Sequence, residues 1–208
     1  MTPAEMLTQG IDELGLDIPG ATLRKLLDYL ALIGKWNRVH NLTAVRKVSS
    51  MVSAHLLDSL AILPHLDARF VLDVGSGAGL PGIPLALAWP GAHVTLLDSN
   101  QKKAAFLRQV VIELGIKNAE VVCQRVENWQ SPQPLDLVIS RAFSELSEFL
   151  RLTERLSTAE TKTAVMKGVY PGKEICGLPA AFKLSKVVQL KVPGLGAKRH
   201  LLLVERKS

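Results

Sequence analysis

The sequence predicts an α/β fold: a mostly parallel seven-stranded sheet with a C-terminal antiparallel hairpin, preceded by an N-terminal helical extension. Three observations predict it. The first 66 residues repeat their apolar side chains with a helical period. From Phe70 short apolar runs alternate with helical stretches, and the last two runs face each other across a Pro/Gly loop. A chain of 208 residues buries one substantial core with room for a small appendage.

In chain order, "TPAE" (Thr2 to Glu5) is a capping box with Pro3 at the first helical position, where its missing N–H costs nothing. Leu23, Leu26, Leu27, Leu30 and Ile33 follow i, i+3, i+4, i+7 spacing and predict an amphipathic helix leading to Trp36. A third helix is expected from about Val48 to near Pro64, with Val52, His55, Leu56 and Ser59 on one stripe. Asn37 and Asn41 in "WNRVHN" read as a capping or turn device holding these helices on the sheet. The extension is assigned to residues 1–66 and the α/β domain to 67–208.

The strands are read as "FVLDVG" (70–75), "HVTLLD" (93–98), "EVVCQ" (120–124), "LDLVIS" (135–140) and "TAVMKG" (163–168). Helical stretches "PGIPLALAW", "QKKAAFLRQVVIELG" and 144–156 separate them, with the polar turn "NWQSPQP" before the fourth. Near-continuous apolar strands alternating with helices argue a parallel sheet covered on both faces. "SKVVQLKV" (185–192), the loop "PGLGAKR" and "HLLLVER" (200–206) form the closing hairpin, unlike an ordinary dinucleotide-binding half.

Composition narrows the function. "MTPAEMLTQG" carries an acid and no basic run, so no signal peptide is expected. No apolar stretch approaches the roughly 20 residues of a membrane span. Cys123 and Cys176 lack metal spacing and are read as reduced core thiols of a cytoplasmic protein. A net charge of +6 favours polyanionic partners.

The stretch "VLDVGSGAGLPGIP" (71–84) contains two overlapping glycine patterns. In a dinucleotide-binding turn the first glycine of G-x-G-x-x-G directly follows the strand. Gly77, Gly79 and Gly82 match that pattern two residues too late; counted from Gly75, the sixth position is Leu80. The register Gly75-x-Gly77-x-Gly79 fits the strand end. Asp73 at the end of that strand would repel a pyrophosphate and suits a cationic ligand, such as S-adenosyl-L-methionine with its ammonium and sulfonium. Asp98, 23 residues after Gly75 at the end of the second strand, is placed to accept hydrogen bonds from both hydroxyls of a ribose.

These residues, with "KWNRVHNLTAV" (35–45), "HLLDSL" (55–60), "LLDSNQKKAAFLRQV" (96–110), "RVE" (125–127), "ISRAF" (139–143), "MKG" (166–168) and "RHLL" (199–202), resemble the RsmG (GidB) family of bacterial rRNA methyltransferases. The loop carries Ser76 and Ala78 where family members often have Thr and Pro, a change that leaves the glycine frame intact. The resemblance implies a class I (Rossmann-like) S-adenosylmethionine-dependent methyltransferase that methylates N7 of one guanine in the decoding-region loop of 16S rRNA. It implies a cofactor site using Gly75, Leu80, Val126, Glu127 and Arg141, with Val126 and Glu127 flanking the adenine. An arginine beside a sulfonium repels it, so Arg141 is expected to bond the methionine carboxylate or an RNA phosphate.

Arg125, Lys167, Arg199 and His200 are the candidate RNA contacts, with Arg46 and Lys198 adding charge at the same sheet edge. His55 and Asp58 share a helix and are spaced to pair. No cysteine stands in "ISRAF" to attack a pyrimidine, and no (N/D/S)-P-P-(Y/F) motif marks an exocyclic-amine enzyme. Guanine N7 already presents a lone pair, so alignment suffices and no general base is named. The expectation is completed by 16S rRNA or the small ribosomal subunit as partner, no membrane, and a monomer.

Overall fold

The computed structural model describes residues 1–141, 143 and 145–207. Four α-helical segments precede the sheet: α1 (Pro3–Glu13), α2 (Gly20–His40), α3 (Val48–Met51) and α4 (Asp58–Leu60). Strands and helices then alternate as β1 (Phe70–Val74), α5 (Gly82–Ala88), β2 (His93–Leu97), α6 (Gln101–Glu113), β3 (Ala119–Val122), β4 (Leu137–Arg141), α7 (Leu146–Thr153) and β5 (Lys162–Lys167). A short α8 (Gly172–Cys176), absent from the sequence reading, leads into β6 (Phe182–Leu190) and β7 (Arg199–Arg206). Ala142 of "ISRAF" and Ser144 of the predicted helix lie outside the described residues.

The sheet order is β3-β2-β1-β4-β5-β7-β6. Strands β1 to β5 run parallel; β7 inserts antiparallel between β5 and β6, so the hairpin closes the sheet as predicted. The order reverses between β1 and β4, and in open α/β sheets ligands bind outside the carboxyl ends of the strands at that switch point.

Local signals act as physics requires. Thr2 Oγ1 accepts from Glu5 N–H at 3.2 Å while Glu5 Oε2 accepts from Thr2 N–H at 2.8 Å, closing the capping box. Asn100 Oδ1 caps α6 by accepting from the amides of Lys102 and Lys103. The predicted third helix departs from the α period: Val52–Leu57 is a π-helical turn between α3 and α4. The expected stripe of Val52, His55, Leu56 and Ser59 is nonetheless buried throughout, and such turns concentrate at functional sites.

Strand pleating sends alternate residues to opposite faces. Val71, Ile139 and Leu201 face the layer formed by α2, α5, α6 and the π-helical segment, packing with Leu30, Ile33, Leu56 and Phe106. Leu72, Val138, Val165 and Leu202 face α7 with Phe149, Leu150 and Trp129. The helices before β1 therefore share their core with the sheet. Cys123 is half-buried and Cys176 exposed; both are free, which corrects their reading as core thiols. Among the described residues no helix is long and apolar enough to cross a membrane.

One hydroxyl ties the extension to the glycine loop: the wholly buried Tyr29 donates to the Ala78 carbonyl at 2.5 Å. Tyr29→Phe leaves that carbonyl unpaired and is expected to cost about 1–2 kcal/mol, a fall of about 3–6 °C in Tm by thermal melt. An unchanged Tm would show that the bond contributes nothing.

Candidate active site

β1 ends at Val74, and Gly75, Gly77 and Gly79 follow with φ of 70°, 60° and 91°, the left-handed region that favours glycine. Gly75 lines a cavity of about 390 Å³ together with Asp98, Lys103, Arg125, Val126 and Glu127. A side chain at Gly75 would meet no protein atom within 4 Å, so bare backbone there serves the cavity rather than the core.

Gly79 and Leu80 face inward. A Cβ at Gly79 would stand 2.5 Å from Ile83 Cγ1 and 2.9 Å from Leu107 Cδ2. Leu80 is buried with its N–H on Ser76 O, and Gly77 N–H donates to Asp98 Oδ2 at 2.9 Å. Of the expected cofactor set, Gly75, Asp98, Val126 and Glu127 therefore meet at one cavity. Gly77, Gly79 and Leu80 shape the loop from within.

Asp98 spends only part of its carboxylate on the protein. Oδ2 takes Gly77 N–H and Oδ1 takes Asn100 N–H at 2.8 Å. A carboxylate offers about four lone-pair positions, which leaves two for a diol. The 3₁₀ turn Val126–Asn128 forms the opposite wall, and the Arg155 guanidinium holds it through the carbonyls of Val126 and Trp129.

Asp73 does not stand open to a ligand as the sequence suggested. It is wholly buried: Oδ2 accepts Gly82 N–H at 3.0 Å, and Oδ1 has no hydrogen-bond partner. A Cβ at Gly82 would lie 2.6 Å from that Oδ2, which explains the glycine that completed the false dinucleotide match. Burial pushes the Asp73 carboxyl up to about 7, partly offset by the Gly82 amide and the Arg141 charge. An acid with a raised folded pKa stabilises most below its unfolded pKa near 4, and that stability is lost as pH rises towards 7. The loss amounts to about 4 kcal/mol. Asp73→Asn removes the titration, so its ligand-free Tm should gain on the wild type from pH 5 to pH 8. Parallel pH profiles for the two proteins would refute this.

Across the β1/β4 switch point lies a second cavity of about 330 Å³, lined by Val45, Ala54, His55, Asp58, Arg141, Met166, Lys167, Gly168 and Arg199. Asp58, 1% exposed, is its hub. Its Oδ2 accepts from Arg141 Nη1 at 3.1 Å and its Oδ1 from Arg199 Nε at 2.9 Å. The expected pairing of His55 with Asp58 is not formed. The π-helical turn ends between them, and His55 Nε2 instead meets Thr43 Oγ1 at 2.9 Å. Asn37 fixes Thr43 in place through both its backbone N–H and C=O, so the turn device reaches His55. Burial lowers the His55 pKa, which keeps the ring neutral at pH 7.

Arg141 Nη1 also donates to Ala54 O at 3.0 Å; Nε and Nη2 make no further bond among the described residues. Lys167 Nζ donates to Glu174 Oε2 at 2.8 Å and to Phe143 O at 3.0 Å, a salt bridge the sequence reading missed because Glu174 sits on the unpredicted α8. Three RNA candidates move away from this cavity. His200 is 6% exposed, with Nδ1 at 3.3 Å from Gly168 O, because β7 is an interior strand. Arg46 lies on a separate groove beside α2. Arg125 stands at the first cavity, not the second.

The fold and this pair of cavities define an S-adenosylmethionine-dependent methyltransferase. The residues fit that cofactor: open space at Gly75 and two spare acceptor positions on Asp98. A methyltransferase from Aquifex aeolicus superposes with TM-score 0.58 at 21% identity, covering 76% of this chain and 93% of that one. A mutant of MtNAS solved with S-adenosylmethionine gives TM-score 0.59 at 16% identity, covering 90% and 78%. Residues 22–202 match the model of GidB, rRNA small subunit methyltransferase G, and the chain belongs to that family. Proteins named ribosomal RNA small subunit methyltransferase G are 51% identical in Nitrosospira multiformis over 99% of both chains, and 52% identical in Chromobacterium violaceum over 94% of both.

Proposed function

We propose that this chain transfers a methyl group from S-adenosylmethionine to N7 of a specific guanine in the decoding-region loop of 16S rRNA. The observation that carries the reading is the second cavity. Three cationic side chains from the ends of β4, β5 and the start of β7 line it, and its acid–base groups are already committed. Asp58 is held by two guanidiniums and His55 by Thr43, so neither is poised to remove a proton. N7 of guanine requires no such removal.

When bound, S-adenosylmethionine supplies an electrophilic methyl group. This chain's own residues do the positioning. Asp98 and Gly75 accommodate the nucleoside, with Val126 and Glu127 against the adenine. Arg141 offers Nε and Nη2 to the methionine carboxylate or to an RNA phosphate. Arg199 and Lys167 bound the cavity on its far side, where cationic groups favour the flanking phosphates. Alignment of nucleophile, methyl and leaving sulfur then supplies most of the rate. Tritiated cofactor offered to small ribosomal subunits, naked 16S rRNA and a metabolite pool tests the substrate class. Label is expected in the 16S rRNA alone; label confined to metabolites would overturn the reading.

A further inference from the structure

We infer that the groove between α2 and α3 is a second RNA-binding face, built on the helical extension and separate from the catalytic cavity. The inference rests on the rRNA reading above and adds a surface to it. The groove, about 410 Å³, is lined by Lys35, Arg38 and Arg46 together with Gly34, and by no carboxylate. The sequence is one-sided here: between Asp28 and Asp58 there is no Asp or Glu, while Lys35, Arg38, Arg46 and Lys47 supply four cations. All four are exposed, and among the described residues none lies within 4 Å of a carboxylate. Unpaired cations on one face repel one another, a cost that a polyanion relieves through counterion release.

Two further features point to a ligand. Arg46 is held in place, with Nη1 on Asn37 O at 3.2 Å and Nη2 on Asn41 Oδ1 at 3.1 Å, so one cation of the groove is pre-oriented. Gly34 sits inside α2, where glycine weakens a helix, and a Cβ there would meet no protein atom within 4 Å. Internal packing therefore does not demand this glycine. Its bareness keeps the groove floor open to something outside the chain.

The groove also adjoins the catalytic cavity. Val45 lines the cavity and Arg46, the next residue, lines the groove. The connecting turn is fixed by Asn37 on Thr43 and by Thr43 on His55. A strand whose target base occupies the cavity would continue over this turn, and the groove offers its phosphodiesters a positive bed. RNA is favoured over an acidic protein because the lining is cationic along a continuous path that ends at the proposed base pocket.

The test measures binding of small-subunit rRNA against salt for the full-length protein. Each phosphate contact to single-stranded RNA contributes about 0.7 to the slope of log affinity on log salt. The triple variant Lys35→Gln, Arg38→Gln, Arg46→Gln, which removes the three cations lining the groove, should flatten that slope by about 2 and raise KM for RNA at least tenfold. Its cofactor affinity by calorimetry should be unchanged. Gly34→Leu, which fills the floor with a good helix former, should weaken RNA binding several-fold while Tm holds or rises. An unchanged slope in the triple variant overturns the inference, as does wild-type RNA affinity in Gly34→Leu. Wild-type protein that binds RNA with the predicted slope but transfers no label would sink the enzymatic reading and leave this face standing.

Discussion

Asp58→Asn is expected to reduce methyl transfer on the order of a hundredfold, the cost of misplacing positioning groups by about an ångström. The carboxylate neutralises Arg141 and Arg199, which arrive from 83 and 141 residues away and otherwise face each other. An asparagine carbonyl can accept from one of them, but its NH₂ then confronts the other. Breaking a fully buried pair costs about 3–5 kcal/mol. Both arginines retain about a quarter of their side-chain exposure, at 22% and 24%, so solvent recovers part of that. We expect a loss of about 2–3 kcal/mol, a fall of about 5–10 °C in Tm. Cofactor affinity should fall much less, since Asp58 does not line the Gly75 cavity. Wild-type turnover with a lowered Tm would assign Asp58 to the fold alone.

Asp98→Ala carries the second large effect. Hydrogen bonds to a charged acceptor contribute about 1.5–3 kcal/mol each. Losing two to the ribose should weaken cofactor binding about 10²- to 10⁴-fold by calorimetry. From sequence alone, this variant would be expected to leave the fold untouched. The structure changes that expectation, because Asp98 also satisfies the amides of Gly77 and Asn100. The loop loses its anchor along with the ligand, and Tm should drop too. Asp98→Asn keeps one acceptor oxygen and should fall between the two. Equal cofactor affinity in Asp98→Ala and wild type would remove Asp98 from the site.

The glycine register was legible because it depends on one local fact, the end of β1 at Val74, and strand ends are marked by where the apolar run stops. The sheet class was legible for the same reason. Asp73 was misjudged because β1 is buried on both faces: an alternate residue on such a strand points beneath a helix, here at Gly82 of α5. His200 was placed at an open edge, whereas β7 enters between β5 and β6 and its neighbours cover the ring. The partners of Asp58 lie on strands that only the topology brings together, so no spacing in the sequence reveals them. The π-helical turn that separates Asp58 from His55 has no propensity signature in "VSAHLL". Tyr29 was not among the stripe residues read from the sequence, but a buried hydroxyl demands a partner, and here that partner is the Ala78 carbonyl of the loop.

The central claim is the atom that receives the methyl group. N7-methylguanine loses the integrity of its ring on reduction, and the chain can then be cleaved there with aniline. Small subunits lacking the modification, incubated with this protein and S-adenosylmethionine, should yield 16S rRNA that breaks at one guanine in the decoding-region loop. Incorporated label without scission, or label mapped to an exocyclic amine, would contradict the account.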